Sequence, residues 1–262
     1  MSVERILLTN DDGIDAVGLH ALYDALSTDY EVAAVAPAED RSAVGRTLSG
    51  SVDVHEHELG YAVEGTPSDC VVAGLGTLLP EADVVVSGCN KGANLGAYTL
   101  GRSGTVSAAV EAAFFDVPAV AASMYIPGDD DWWKRELDVA EFDHVTRTVE
   151  FLVDRAVDAG VFDSVDYLNV NGPPADPDTT APVRLTEPSP IYDLDAERDG
   201  DRIELTDRIW GRLFDGEVPD PVGYDRRAVL DGEVSVSPLS IAPSNGSNGT
   251  LETLLAEYDP AE

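Results

Sequence analysis

The sequence predicts an α/β protein, an open and mostly parallel sheet covered by helices on both faces, followed by a less regular C-terminal extension. Two observations predict it. Short, unbroken apolar runs alternate with helical spacings through the first half, as in strands buried on both faces. The polar and Gly-rich segments follow those runs directly, where open α/β sheets bind their ligands. At 262 residues the chain suits one large domain, or one domain with an appended arm.

The elements justify this in order. Arg5 to Asn10 (RILLTN) is a buried strand that stops at a DDG turn. Val17 to Leu26 carries Leu19, Leu22, Tyr23 and Leu26 at helical spacing. Glu31 to Ala36 is the next strand, closed by Pro37, and a long polar stretch runs from Ala38 to Gly50. Val52 to His57 and Tyr61 to Glu64 are shorter strands. Pro67 opens a helix through about Leu79, since Pro suits a first turn. Asp83 to Ser87 is a strand, Gly88 to Gly104 a Gly-rich loop, Thr105 to Phe115 a small-residue helix and Pro118 to Ser123 another strand. Phe142 to Ala159 is helical and Tyr167 to Val170 a strand. Residues 172–222 are rich in Pro and Asp and contain alternating pieces such as Arg202 to Leu205, consistent with hairpins or an arm. Glu233 to Ser237 is a late strand, and a short helix ends the chain from Gly249.

Asp plus Glu total 50 against 16 Lys plus Arg, giving a net charge of −34. Such a charge repels itself unless salt screens it. With Lys91 and Lys134 the only lysines, the composition suggests a salt-rich cytosol, as in a halophile. The charge opposes unaided binding to nucleic acid or anionic membrane. No apolar run approaches the roughly 20 residues of a membrane span, and the N-terminus does not read as a signal peptide, so a cytoplasmic protein is expected. Cys70 and Cys89 form no CxxC pair and read as buried free thiols.

Three polar segments follow strands: Asn10-Asp11-Asp12-Gly13, a loop with Asp40-Arg41-Ser42, and Ser87 to Asn94. Two adjacent carboxylates repel, and a cation removes the conflict. Donors of the Asp, Ser and Asn type, without His or Cys, suit a hard ion such as Mg²⁺, Mn²⁺ or Ca²⁺. The Asp pair reads equally as an acidic turn capping the helix at Val17. Gly101-Arg102-Ser103-Gly104-Thr105 opens a helix and is either a phosphate cradle or an ordinary N-cap by Ser103. His55 and His57 share a strand face and read as surface; His20 and His144 read as structural. Two Asn-x-Ser/Thr patterns, at Asn245 and Asn248, read as a flexible loop. Gly74-Leu75-Gly76 completes no dinucleotide fingerprint.

Taken together, ILLTNDDGID, AVAPAEDRS, GTPSDCV, VVSGCNKGANLG, SGTVSAA and LNVNGPP resemble the SurE (survival protein E) 5′-nucleotidases in order and spacing. The resemblance implies a Rossmann-like three-layer core, here about residues 1–175. It also implies a C-terminal arm with late strands, about 176–262, that exchanges between subunits in dimers or tetramers. The implied activity is metal-dependent hydrolysis of nucleoside 5′- and 3′-monophosphates, with some action on polyphosphate. The implied cofactor is one divalent ion per subunit, Mg²⁺ or Mn²⁺, with Ca²⁺ an acceptable substitute in a crystal. By motif, Asp11, Asp12, Ser42 and Asn90 would hold the metal. Asn94, Ser103, Gly104 and Thr105 would hold the phosphate, and Asp11 or Asp12 could take the proton of the attacking water. Lys91 reads equally as a phosphate contact or a solvated charge. The chain departs from the family pattern at Ala43-Val44-Gly45, at Asp15-Ala16-Val17-Gly18, at Cys89 and over Ala97 to Arg102. An aspartyl-phosphate receiver-type domain and a non-catalytic nucleotide-binding module are the alternatives. PAVAAS is followed by Met124, where a receiver would carry Lys.

Overall fold

Successive residues of a strand face opposite sides of a sheet, and this chain uses the alternation to build two cores. The computed structural model describes residues 3–128, 131–176 and 179–242; the Asn-x-Ser/Thr patterns and the expected terminal helix lie outside them. The order is β1 (Arg5–Thr9), α1 (Val17–Leu26), β2 (Glu31–Pro37), β3 (Val54–His57), β4 (Gly60–Val63), α2 (Pro67–Ala73), β5 (Val84–Lys91), α3 (Ala97–Leu100), α4 (Gly104–Phe114) and β6 (Ala119–Met124). It continues with α5 (Asp143–Arg155), β7 (Tyr167–Gly172), β8 (Val183–Leu185), β9 (Leu194–Asp199), β10 (Arg202–Asp207), α6 (Arg208–Phe214), α7 (Asp225–Leu230) and β11 (Val234–Leu239).

Nine strands form one sheet in the order β3-β4-β2-β1-β5-β6-β7-β11-β8. The run from β4 to β7 is parallel throughout. β3 joins β4 and β11 joins β7 antiparallel, and β8 closes the far edge parallel to β11. Ile6, Leu8, Val84, Val86 and Val120 face α1 and α5. Their neighbours Leu7, Val85, Ala119 and Ala121 face α2 and α4. The expected mostly parallel three-layer sandwich is therefore what forms. Cys70 and Cys89 are free and buried, one in each core.

Local chemistry explains the element starts. Thr66 accepts from the Asp69 amide while the Asp69 side chain accepts from the Thr66 amide, and Pro67 follows; this capping box sets the start of α2. The helix runs shorter than expected. It ends at Ala73 and widens into a π turn over Gly74–Leu78, where a Cβ on Gly74 would lie 2.3 Å from Leu7 Cδ1.

The larger departure is β5. The segment after Ser87 reads as loop because of its glycines, yet the strand continues to Lys91. The register against β6 shifts between Ser87 and Asn90, and pairing resumes as Asn90↔Ser123 and Lys91↔Met124. Gly88 permits this: it sits at φ +138°, and a Cβ there would lie 2.2 Å from the Ala122 carbonyl oxygen. A short helix, α3, also interrupts the expected loop.

The chain leaves β1 toward β2 and later returns to its other side as β5. The sheet's switch point thus lies between the ends of β1 and β5, where ligands bind in this architecture. Residues 172–222 supply β8, a separate β9–β10 hairpin and α6. Leu213 of α6 and Val229 of α7 pack on Ala93, Leu95 and Tyr125 above the switch point.

Candidate active site

Asp11 and Asp12 leave the end of β1 in a turn fixed by Asn10, whose amide donates to the Gly13 carbonyl at 2.8 Å. Asp11 is 3% exposed. Its Oδ1 accepts from the Thr105 hydroxyl at 2.6 Å, and its carbonyl accepts from the Arg41 amide at 2.7 Å. Burial raises the Asp11 carboxyl above its ordinary range, against the lowering pull of the Thr105 hydroxyl and amide. Asp12 Oδ2 accepts from the Lys91 amide at 2.9 Å. Burial first, and then the charge of Asp11, push Asp12 up to about 7. A buried and a half-buried carboxylate side by side are held in a state that a cation would relieve.

Ser42 and Asn90 arrive from β2 and β5. The Ser42 hydroxyl donates to Asp40 Oδ1 at 2.6 Å and its amide donates to the same oxygen at 2.7 Å. The Asn90 side-chain NH₂ donates to the Gly92 carbonyl at 2.5 Å. With its hydroxyl proton committed, Ser42 offers lone pairs, and Asn90, held through one N–H of its amide, has its amide oxygen as an acceptor. Asp11, Ser42 and Asn90 line one cavity of about 470 Å³, a normal size for a small-molecule site. Asp12 stands behind that wall, beside the backbone of Lys91. Oxygen acceptors without His or Cys fit a hard divalent cation.

Asn94 and Ser103 line the same cavity. Asn94 is held through its backbone and its side chain. Its backbone amide donates to Asn171 Oδ1 at 2.7 Å, and its side chain donates to Ser123 Oγ at 2.9 Å. Its carbonyl accepts from Asn169 and Asn171 at 3.0 and 3.2 Å. Ser103 caps α4, its Oγ accepting from the Val106 amide at 3.0 Å, so the cap and cavity readings hold together. A Cβ on Gly104 would lie 2.8 Å from Asp11 Oδ2, so only glycine lets α4 begin this close to the carboxylate. Thr105 is fully buried and spends its hydroxyl on Asp11. In this arrangement it positions the carboxylate, and the Ser103 hydroxyl and Gly104 amide remain the first-turn donors for an anion.

Lys91 is among the residues that line the cavity. Its ammonium donates to the Trp133 and Arg135 carbonyls. His55 pairs with Glu64 at 3.1 Å and His57 with Asp15 at 3.3 Å; no histidine lines the cavity. Sequence reasoning gave no role to Ser123, Asn169 and Asn171, which hold Asn94. It also passed over Trp132, Trp210, Phe214 and Arg102, which complete the cavity wall. The repeated Asn of LNVN was the available signal, because polar side chains inside a buried strand need partners.

The fold and the site together define an open α/β protein with a cavity at its switch point, lined by the oxygen-bearing side chains of Asp11, Ser42 and Asn90 and by the helix-capping Ser103. A family model described as survival protein SurE matches residues 6–191, and the chain belongs to the SurE family. It is 60% identical over 255 residues to a 5′-nucleotidase SurE of Natronomonas pharaonis, covering 97% of this chain and 99% of that protein. It is 57% identical to a 5′-nucleotidase SurE of Haloarcula marismortui, covering 99% and 97%. The SurE crystal structure from Aquifex aeolicus superposes with a TM-score of 0.76 at 28% identity, covering 97% of this chain and 98% of that one.

Proposed function

We propose that the protein is a divalent-metal-dependent phosphatase of nucleoside monophosphates, a 5′-nucleotidase. The observation that carries this reading is the shared cavity. Asp11, Ser42 and Asn90 offer lone pairs to it, and the α4 N-terminus offers donors a short distance along the same wall. The same name on relatives that match nearly the whole chain supports the substrate class.

Asp11, Asp12, Ser42 and Asn90 would hold one ion, Mg²⁺ or Mn²⁺. A bound ion supplies Lewis-acid stabilisation of phosphoryl charge and activation of water. The Ser103 hydroxyl and Gly104 amide orient the phosphate oxygens, and Asn94 fixes the wall between the two subsites. Positioning and charge neutralisation carry most of phosphoryl transfer. An acidic side chain, Asp12 or Asp11, accepts the proton of the attacking water. The aromatic wall of Trp132, Trp210 and Phe214 accommodates the nucleoside.

The reading extends to the molecule. Among the described residues no helix is long and apolar enough to cross a membrane, and we place the enzyme in the cytoplasm. Within the C-terminal region, whose β8 and β11 belong to the main sheet, we regard the β9–β10 hairpin as the arm that joins subunits into a homodimer or homotetramer. What supports this is the β9–β10 hairpin, which pairs with no strand of the main sheet, and its apolar Ile203 and Leu205, 60% and 74% exposed on one face.

The test is phosphate release from nucleotides in high salt. EDTA should silence the enzyme and Mn²⁺ or Mg²⁺ should restore it. Asp11→Asn should abolish turnover with an unchanged circular-dichroism spectrum. A wild type that binds AMP with metal yet releases no phosphate would replace this reading with a binding module.

A further inference from the structure

We infer that Arg102 is a substrate-positioning residue, whose guanidinium holds the phosphate dianion in the cavity and supplies the positive side-chain charge this site otherwise lacks. The inference rests on the phosphatase reading above.

Arg102 and Lys91 are the basic residues among those that line the cavity. The Lys91 ammonium is already donated to the Trp133 and Arg135 carbonyls. Arg102 is exposed and, among the described residues, has no ion pair or side-chain hydrogen bond; its guanidinium rests on the Tyr98 ring, 5.3 Å from its Cζ to the centroid. In a chain with 50 acids and 16 bases, most arginines meet a carboxylate, and Arg102 is the one without such a partner that lines the cavity. An exposed arginine left unpaired in a cavity that Asp11 also lines is suited to an anion from outside.

Its backbone is fixed where such an anion would lie. The Arg102 amide donates to the Thr99 carbonyl at 2.9 Å, and the Ser103 amide donates to the same oxygen at 3.0 Å. Arg102 therefore immediately precedes the residue that caps α4. On its other side the loop that carries Ser42 packs against it: a Cβ on Gly45 would lie 3.1 Å from the Gly101 carbonyl oxygen. The residue thus lies between the loop that carries Ser42 and the start of α4. Tyr98 is itself a firm platform, since its hydroxyl donates to Asp207 and its ring meets Tyr192 edge-on at 5.3 Å. A cation resting on an aromatic face keeps its N–H edge free for a phosphate.

Salt decides how this charge acts. At about 1 M the Debye length is about 3 Å, so long-range steering is extinguished and only contact-range charge survives. Arg102 therefore acts by direct contact, and its effect persists in high salt.

The experiment compares wild type, Arg102→Ala and Arg102→Lys in high KCl with saturating Mn²⁺. AMP and p-nitrophenyl phosphate serve as substrates, and inorganic phosphate as inhibitor. Arg102→Ala should raise KM about 10- to 100-fold for both substrates, the effect of one charge-assisted bond. The inhibition constant for phosphate should rise in the same ratio while kcat is nearly unchanged, and Arg102→Lys should recover part of the loss. An unchanged KM would overturn the proposal, as would a rise confined to AMP, which would assign Arg102 to the nucleoside. A lowered melting temperature with an unchanged phosphate inhibition constant would leave Arg102 only a brace for Tyr98, and would also overturn it. A wild type that neither binds phosphate nor releases it would instead remove the phosphatase reading beneath.

Discussion

Asp11 shows how a functional carboxylate is kept in place by residues that never meet the substrate. The Thr105 hydroxyl, 94 positions away in the chain, donates to it at 2.6 Å. Thr105→Val keeps the shape and removes that donor. It should weaken Mn²⁺ binding or turnover by about 10- to 100-fold, as loss of a supporting partner does, with calorimetric titration as the measurement. Asp12 gives the pH dependence. In the metal-free protein its pKa stands at about 7, above its ordinary 3.8. The folded state then holds a proton that the unfolded state has lost between those values. This contribution to stability is full below about 3.8 and disappears as pH rises through about 7. Metal-free protein should therefore melt at a higher temperature at pH 5.5 than at pH 8, as far as this group acts. Metal binding below about pH 7 should release protons, visible as a buffer-dependent heat, since the ion needs the carboxylate. Equal heats in buffers of different ionisation enthalpy would contradict this.

The elements carry the site through close approaches that only small residues permit. Gly18 on α1 is the clearest case, since a Cβ there would lie 2.0 Å from the Cys89 carbonyl oxygen and 3.0 Å from the Phe142 ring. It seats α1 on the irregular part of β5, immediately before Asn90. Gly18→Ala should destabilise the fold by about 1–3 kcal/mol, the usual cost of overpacking, read from the denaturant midpoint. The strands and helices around this contact were legible locally: the apolar run of β1, the spacing of α1 and Pro67 ahead of α2. The continuation of β5 through Gly88 to Lys91 was not. Its glycines signal a loop in isolation, and only the neighbouring backbone of β6 at Ala122 turns them into a bulged strand. Thr105 likewise reads as a phosphate ligand by motif, and only its contact with Asp11 reveals its positioning task.

Across the whole molecule, charge outweighs every local feature. A net −34 over 262 residues is strongly self-repelling. The thermal midpoint should rise steeply as KCl is raised from about 0.1 M to about 1 M, over which the Debye length shrinks from about 10 to about 3 Å. NaCl should act almost equally if screening is the cause; indifference to salt would refute the argument. The C-terminal segment is tied to the site by a buried polar knot that has no local signature. Asp225 accepts from the amides of Gly96 and Ser189 at 2.7 and 3.0 Å, and Arg226 reaches Ser189 Oγ and the Ile191 carbonyl. Arg226 also faces the buried Asp220 carboxylate at 3.8 Å, and removing either partner of that buried pair would leave the other's charge uncompensated. The knot fixes Gly96 and hence α3, which carries Tyr98.

By itself the sequence determined the alternation of strands and helices, the oxygen-bearing side chains at the ends of β1, β2 and β5, and the helix start that shares their cavity. These follow from side-chain chemistry within a few residues, which periodicity and turn composition expose. The tertiary structure alone decided that the Lys91 ammonium is spent on the Trp133 and Arg135 carbonyls, that Asn171 and Ser123 hold Asn94, and that Arg102 is left unpaired at the cavity. Each of those depends on contacts between segments far apart in the chain, such as the 77 positions between Asn94 and Asn171. A hydrogen bond across that distance leaves no periodic trace, because it is fixed by where two strands end in space and not by what stands beside either residue.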